Sequence, residues 1–236
     1  MLEDPGNQKK IKGIGTLQET SLHASLKRWY SQPGDSLEVV VDGFVIDIVR
    51  GNLLIEIQTR NFSAIKRKLK QLVEKHPLRL VYPISLEKWI VNVAEDKVSV
   101  VRRRKSPRHL HLEDLFTELV RLPELAAHNN FSLEALLIRE EELRRKDGRG
   151  SWRRKGWSIY DRRLLEVVDR HVFLSPTDFS ALLPVGLPPA FTSTDLARGL
   201  GKPLYLAQKM AYCLRKMDAI QITGKVGNSL VYSRGQ

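Results

Sequence analysis

Alternation between apolar and polar positions divides the first hundred residues into short segments of regular structure. From Leu22 to Tyr30 the apolar side chains recur at the spacing of one helix face. Thr16 and Glu19 precede them at the spacing of a capping box, in which side chains satisfy the free N–H groups at the start of a helix. The pattern therefore predicts a first helix over residues 16–30.

Short apolar runs bounded by turn residues follow this helix and predict strands. Asp42-Gly43 and Gly51-Asn52 are dipeptides typical of hairpin turns. A longer amphipathic stretch after the third run predicts a second helix, because its apolar residues share one helix face. The predicted elements are strands at residues 37–41, 44–49, 53–58, 78–83 and 89–93 and a helix at residues 62–75. Their order predicts a compact α/β domain over residues 1–96.

The remainder of the chain divides into two further segments. Residues 97–157 begin with a run of arginines, and we interpret them as a basic connector with broken helices over residues 110–146. Beyond it, a capped helix ending at Gly201 is followed by a second helix and a hairpin. The predicted elements are helices at residues 160–170, 191–201 and 203–217 and strands at residues 219–223 and 229–233. We therefore expect a third domain over residues 158–236.

The charge of the chain narrows the class of partner. Lysine and arginine number 39 against 27 aspartate and glutamate residues, so the formal net charge of the 236-residue chain is +12. This excess of positive charge indicates a polyanionic partner, either nucleic acid or an anionic membrane surface. The single cysteine, Cys213, excludes an intramolecular disulfide and a cysteine zinc cluster.

Other classes of protein are excluded by motifs that the sequence lacks. Neither a Walker A motif nor a GxGxxG motif occurs, so we expect no nucleotide cofactor. No apolar run approaches the ~18 residues of a transmembrane helix, and the N-terminus lacks the apolar core of a secretory signal. We therefore expect a cytoplasmic, nucleoid-associated protein that binds DNA and no membrane.

Two carboxylates interrupt the apolar runs of the second and third predicted strands. Asp47 and Glu56 lie there, and a buried carboxylate is costly unless something compensates its charge. Mg²⁺ is one such compensation, because it binds carboxylate oxygens and keeps several waters. Glu56 and Gln58 are two residues apart and share one strand face, and the hairpin brings Asp47 close to Glu56. Glu19 shares a helix face with the apolar residues that follow it, so it leans toward the sheet.

This series of residues resembles the PD-(D/E)XK nuclease superfamily, in which a helix glutamate, a strand aspartate and a Glu-X-Lys strand occur in that order. The similarity covers residues 16–93 and is greatest to archaeal Holliday-junction resolvases and related endonucleases. It implies a restriction-endonuclease-like fold in which Asp47, Glu56 and the Ile57 carbonyl bind Mg²⁺ or Mn²⁺, with Glu19 acting through water. Such a metal polarises the scissile phosphate and lowers the pKa of the attacking water.

Gln58 departs from this pattern, because the family most often has lysine there. A lysine would stabilise negative charge on the water or the phosphate, whereas glutamine only orients by hydrogen bonds. Arg60 or Lys66 would then supply the missing charge. The alternatives are a Glu19 that only caps its helix and an Asp47–Glu56 pair that faces solvent.

The third segment resembles a winged helix-turn-helix over residues 158–234. In that fold the second helix enters the major groove and the wing contacts the DNA backbone. The alternative is contact with a protein, including a second copy of the chain in a homodimer. The resemblance implies these DNA contacts: Lys202, Tyr205, Gln208, Lys209 and Tyr212 on the helix, and Lys225 and Asn228 on the wing.

The predicted loop before this segment alternates cations with tryptophans. Arg153, Arg154 and Lys155 lie between Trp152 and Trp157. Cations bind phosphates, and indoles stack on unpaired bases, so the loop is a further candidate DNA contact. The alternative is a linker whose tryptophans pack on a neighbouring helix.

Three functions follow as expectations. The first is a Mg²⁺-dependent DNA endonuclease targeted by a C-terminal winged helix. The second is a DNA-binding protein or regulator that keeps a degenerate nuclease fold without activity, and Gln58 favours it. The third is an adaptor whose basic surface binds another protein.

Overall fold

The computed structural model describes residues 21–94, 99–149 and 152–235, without the side chain of Arg153. Its elements as far as residue 83 follow the predicted order. The elements as far as residue 105 are α1 (Ser21–Tyr30), β1 (Ser36–Val41), β2 (Phe44–Arg50), β3 (Leu53–Ile57), α2 (Lys66–Val73), β4 (Leu78–Val93) and β5 (Val100–Lys105). The predicted first turn is confirmed as a hairpin: Asp42 and Gly43 both have positive φ, the geometry that matches the twist of the two strands.

The rest of the chain adds more strand than the sequence predicts. Short helical turns occur between residues 112 and 127, and α3 (Phe116–Leu119) is one of them. The remaining elements are β6 (Phe131–Lys146), β7 (Trp157–Phe173), α4 (Pro176–Ser180), β8 (Ala190–Thr192), α5 (Ser193–Leu200), α6 (Leu204–Lys216), β9 (Ile220–Val226) and β10 (Ser229–Arg234).

One mixed sheet of seven strands organises the molecule, so the expected α/β class is confirmed. Its order is β1-β2-β3-β4-β6-β7, with β5 paired to the far end of β4. The strands β3 and β4 are parallel, and α2 makes the crossover between them. Helix α1 packs on one face through Leu22 and Leu26, and α2 packs on the other through Leu69 and Leu72. The centre of the sheet is therefore buried on both sides.

Residues 110–146 were predicted to be broken helices, and that prediction is wrong for the second half of the range. Residues 131–146 form β6, which pairs with β4 in parallel along the whole strand. Its three buried carboxylates are Glu134, Glu140 and Glu142. They are even numbers of residues apart, so they share one face of the strand, and lysine and arginine on the neighbouring strands pair with them. Tertiary pairing therefore overrides the local pattern.

The predicted helix at residues 160–170 is also wrong, because these residues lie in the middle of β7. This strand pairs with β6 in antiparallel fashion from Leu133–Phe173 to Lys146–Trp157. The two predicted strands at residues 78–83 and 89–93 are one strand, β4, with a register shift between Ser85 and Glu87. Residues 97–157 are consequently not a helical connector, since they supply β5 and β6 to the sheet.

The last sixty residues form the predicted helices and hairpin around a second, three-stranded sheet of order β8-β10-β9. Thr192 and Asp195 form a capping box at the start of α5, and Gly201 ends that helix in the left-handed conformation that glycine favours. Helix α6 packs into the same hydrophobic core as α3. Phe173 at the end of β7 also stacks on Phe179 of α4, with ring centroids 4.6 Å apart. The two sheets therefore share one apolar interior.

In the part of the chain that the structure describes, no helix is long and apolar enough to cross a membrane.

Candidate active site

Strands β2 and β3 separate at the point where the two predicted carboxylates lie. Their ladder runs from Arg50–Leu53 to Ile48–Ile55. Beyond it, the Ile57 N–H donates to Asp47 Oδ2 at 2.8 Å. The carboxylate of Asp47 therefore takes the place of a backbone acceptor, which fixes that side chain between the two diverging strands.

Glu56 lies on β3 and is only 8% exposed. Lys68 of α2 reaches it, with Nζ 2.6 Å from Glu56 Oε2. The same ammonium donates to the Val45 carbonyl of β2 at 2.5 Å. Lys68 thereby spans from the crossover helix to both strands and holds a positive charge at the buried carboxylate.

His23 brings α1 to the same place. Its Nε2 lies 3.3 Å from Asp47 Oδ2 and forms a hydrogen bond with it. Leu22, one residue earlier, is buried against the sheet and fixes the orientation of this face of the helix. Asp47, Glu56, Lys68 and His23 therefore come together from four different elements.

The two carboxylates ionise differently because their surroundings differ. Burial, and then the charge of Asp47, raise the pKa of Glu56 to about 7 against the opposing effect of Lys68. Burial acts in the same direction on Asp47, but the hydrogen bond and charge of His23 outweigh it. With help from the Ile57 N–H and Lys68, they lower the pKa of Asp47. Asp47 is therefore the permanent anion, and Glu56 exchanges its proton near neutral pH.

A divalent cation suits this donor set. Two carboxylates that repel each other are the hard oxygen ligands of Mg²⁺, and a cation between them relieves the repulsion that raises the pKa of Glu56. Within residues 21–94, 99–149 and 152–235, no group of three His, Cys, Asp or Glu side chains is placed to bind a metal. The pair would consequently need a backbone carbonyl such as that of Ile57, together with water. Glu19, the predicted third carboxylate, lies outside the described residues.

Gln58 stands in the sequence where PD-(D/E)XK nucleases most often have lysine, but its side chain has a different role here. Its Nε2 donates to the carbonyls of Arg60 at 2.5 Å and Asn61 at 3.2 Å. Asn61 has a φ of 57°, so the amide stabilises a strained turn after β3. Lys66 begins α2, but it is Lys68, two residues later, that reaches Glu56.

Sequence reasoning missed Lys68 and His23, although the helix pattern contained a signal for both. Lys68 lies four residues before Leu72, which is buried, so the two share a helix face. His23 adjoins Leu22 and precedes Leu26 by three residues. A polar residue at the edge of a buried helix face is a candidate for contact with the sheet, and the run of three basic residues at the start of α2 obscured which one that is.

The predicted DNA contacts on the C-terminal segment have two different environments. Tyr205, Gln208 and Tyr212 are exposed on one face of α6, and Lys209 is half-buried with its ammonium 5.9 Å from the centre of the Tyr205 ring. Lys225 and Asn228 are exposed on the hairpin between β9 and β10. All six of these side chains are at least partly accessible to solvent.

Lys202 differs from them, because it is paired inside the molecule. Its Nζ lies 2.9 Å from Asp114 Oδ2, and both side chains are largely buried. This ion pair joins the segment between α5 and α6 to the helical turn before α3. Lys202 therefore stabilises the packing of the two parts and is not exposed to a ligand as predicted.

The loop before β7 is the last predicted contact. Trp152 is 82% exposed, Lys155 is exposed, and Arg154 donates through Nε to the Trp157 carbonyl at 3.3 Å. The side chain of Arg153 lies outside the described part of the structure. The Trp152 side chain is therefore largely accessible to solvent, whereas Arg154 orders the loop.

Comparison with known proteins gives a family for the sheet and its site. A family model described as a domain of unknown function, DUF8091, matches residues 20–174. The chain belongs to the DUF8091 family. The match extends from α1 to the end of β7, so the DUF8091 domain contains the whole seven-stranded sheet, and the two helices and hairpin after α4 follow it.

A relative is similar in sequence to this chain over most of its length. An uncharacterized protein from Treponema pallidum (strain Nichols) is 34% identical over 186 residues, which are 78% of this chain and 74% of the relative. No solved structure matches the chain.

Proposed function

We propose that this DUF8091 protein is a metal-dependent nuclease that hydrolyses phosphodiester bonds in DNA. The observation that carries the proposal is the pair of carboxylates on diverging strands, Asp47 and Glu56, with the ammonium of Lys68 against one of them. Support also comes from the order of elements from α1 to β4, in which a helix crosses over between β3 and the parallel β4. This is the arrangement that the resemblance to PD-(D/E)XK nucleases implies.

Asp47, Glu56 and the Ile57 carbonyl would hold Mg²⁺ or Mn²⁺. When bound there, the metal would polarise the scissile phosphate and acidify a water. Lys68 would supply the positive charge that a lysine at the position of residue 58 supplies in PD-(D/E)XK nucleases. It lies beside Glu56, where it stabilises negative charge that develops on the phosphate oxygens.

His23 has a separate part in this site. Its Nε2 is bonded to Asp47 Oδ2, so it keeps that carboxylate ionised and oriented. Glu56, with a pKa of about 7, accepts or releases a proton at the pH of the cell. Together they provide an ionised ligand and a proton acceptor within one site.

DNA would be held by the C-terminal segment. The sequence of elements from α4 to β10 is helix, strand, two helices and a hairpin, which resembles a winged helix. The exposed face of α6 and the tip of the hairpin carry the polar and basic residues that would contact phosphates.

A second candidate function is DNA binding without cleavage. One observation favours it: the Lys68–Glu56 ion pair neutralises the buried carboxylate without a metal. In that case, Gln58 and Lys68 have structural roles, and the exposed surface of α6 carries the function.

Cleavage measurements separate the two functions. Supercoiled plasmid and branched DNA are incubated with Mg²⁺ or Mn²⁺, and the wild type is compared with Asp47→Asn. We expect cleavage by the wild type and a loss of at least about a hundredfold in the variant, with DNA binding retained. Asp42→Asn is the matched control, since it makes the same chemical change in the exposed turn that begins β2. Equal cleavage by both variants would contradict the proposed nuclease.

A further inference from the structure

A cleft opens beside the candidate active site on the side of the sheet that carries α1. It holds about 210 Å³, the volume of roughly seven waters. Thr59 and Arg60, directly after β3, line it, and so does Leu22, which precedes His23. The cleft and the carboxylate site therefore share two segments of the chain. A cleft of this size admits one phosphate group with some water.

Cations predominate in the lining of this cleft. They come from four separate places: Arg60 after β3, Lys88 on β4, Arg108 after β5 and Arg162 on β7. Glu140 is the carboxylate that also lines it, and its Oε1 lies 3.4 Å from Lys88 Nζ. Glu142 lies behind the lining, 3.2 Å from Lys88 and 3.9 Å from Arg162. Four cations against these two carboxylates still leave the cleft positive, which favours an anionic ligand.

For two of these cations, the described part of the chain places no carboxylate within 4 Å. They are Arg60 and Arg108, and both are exposed. Arg162 has only a distant partner, Glu142, at 3.9 Å. An arginine presents a planar fork of donors that fits phosphate oxygens, so these side chains are available for bidentate contacts.

Ser85 provides the second, independent indication of a ligand. Its side chain lines the cleft and is buried, with the residue 7% exposed, yet its hydroxyl has no hydrogen-bond partner within the described structure. A buried hydroxyl without a partner loses about 1–3 kcal/mol, so its retention needs a reason. The register shift of β4 between Ser85 and Glu87 locates this residue at an irregularity of the strand. A phosphate oxygen in the cleft would complete the hydrogen bonding of Ser85.

We propose that this cleft binds the terminal phosphate monoester of a nucleic-acid strand. The ligand class follows from the charge and size of the cleft, and its attachment to nucleic acid rests on the proposed function. A terminal monoester carries up to two negative charges and three free oxygens, whereas an internal diester carries one charge and continues in both directions. A small cleft with several cations suits the terminal group. Binding there would place the end of a strand beside Asp47 and Glu56.

Oligonucleotide binding in the presence of a metal chelator tests the inference without cleavage. Three versions of one labelled single strand are compared by fluorescence anisotropy: with a 5′-phosphate, with a 3′-phosphate, and with hydroxyls at both ends. We expect one phosphorylated version to bind about tenfold more tightly than the hydroxyl version, which corresponds to one charge-assisted contact. Millimolar inorganic phosphate should abolish that difference.

Variants on either side of the cleft make the assignment specific. Ser85→Ala and Arg108→Gln are expected to remove the preference for the phosphorylated end while leaving the thermal unfolding transition in place. Arg163→Gln is the matched control, because Arg163 is exposed next to Arg162 on β7 and does not line the cleft. Its preference should equal that of the wild type.

The outcomes separate this inference from the proposed nuclease. Equal affinity for all three oligonucleotides, no binding of any of them, or a preference that survives both cleft variants would overturn the inference. A protein that prefers a phosphorylated end but never cleaves DNA would support the cleft and contradict the nuclease. Cleavage without any preference would do the reverse.

Discussion

At the scale of single residues, the proposed chemistry depends on the ion pair of Lys68 and Glu56. The ammonium lies 2.6 Å from a carboxylate that is largely buried, and it also bonds to the backbone of β2. Such a pair does not in itself stabilise a fold strongly, because the cost of desolvating two charges offsets their attraction. Under the proposed function, its place next to Asp47 supplies positive charge where the scissile phosphate would bind.

Replacement of Lys68 tests this role. Lys68→Met is expected to lower the cleavage rate by at least about a hundredfold, the cost of removing one charged group that stabilises the transition state. Lys70→Met is the matched control, since Lys70 is exposed on the same helix and on a different face. The measurement is plasmid cleavage beside a gel-shift assay. Wild-type cleavage by Lys68→Met would show that the charge is not used.

Glu56 makes the stability of the protein depend on pH. Its ordinary pKa is 4.5, and burial together with the charge of Asp47 raises it to about 7 in the folded chain. The stability that the neutral carboxyl contributes is therefore complete below 4.5 and is lost as the pH rises through 7.

Glu56→Gln, which is neutral at every pH, should consequently be more stable than the wild type at about pH 8, by up to about 3 kcal/mol. The difference should vanish at about pH 4.5, and thermal or urea unfolding measures it. Glu74→Gln on the surface, at the end of α2, is the control and should show no such pH dependence. A Glu56→Gln variant that is less stable at both pH values would contradict the assigned ionisation.

Single elements show where sequence patterns suffice and where they fail. The first helix from residue 21 onward, the three-stranded meander and the crossover helix were predicted correctly, because turn residues and apolar spacing specify them locally. The predicted start of the first helix at residues 16–20 lies outside the described residues. Strands β6 and β7 were missed, because their identity depends on partners that are distant in the sequence. Glu134 of β6 is completely buried, and its charge is neutralised by Arg79 of β4 and Arg170 of β7. No pattern within β6 itself contains that information.

The same lesson applies to the site. Asp47 and Glu56 were found from the sequence because a carboxylate in an apolar strand is anomalous wherever the strand lies. Lys68 and His23 were not found, because a charged residue on a helix is ordinary until the packing of the helix is known. Gln58 was placed correctly on β3's extension, but its hydrogen bonds to the following turn depend on a backbone conformation that the sequence alone does not specify.

Helix α6 allows a direct test of the proposed DNA binding. Lys209 lies on α6 and Lys225 on the hairpin of β9 and β10, whereas Lys202 forms an ion pair with Asp114. The double change of Lys209 and Lys225 to Ala should lower the slope of log affinity against log salt by about 0.9 for each phosphate contact that is lost.

Lys202→Ala should leave that slope unchanged and instead lower the melting temperature, because it leaves Asp114 without its partner. Fluorescence anisotropy across a salt series and a thermal scan measure the two effects. An unchanged slope in the double variant would mean that α6 contacts a protein instead of DNA.

At the scale of the whole molecule, one large sheet carries the candidate site where β2 and β3 diverge, and a second, smaller sheet packs beside it. The DUF8091 match covers the first sheet, and the shared apolar interior ties the second to it. The expected division at residues 157 and 158 falls where β7 begins, and β7 pairs with β6 throughout its length. The proposed nuclease site and the proposed DNA-binding surface would therefore lie on two sheets that share one hydrophobic core.

Diffraction from crystals grown with Mn²⁺ tests the metal site most directly. If the proposed metal site is correct, we expect an anomalous difference peak within coordination distance of Asp47, Glu56 and the Ile57 carbonyl. We also expect Lys68 to be displaced from Glu56. The peak should disappear in crystals of Asp47→Asn. An absence of any peak at saturating Mn²⁺, with Lys68 still paired to Glu56, would contradict the proposed metal-dependent nuclease. It would favour a DNA-binding protein that does not cleave.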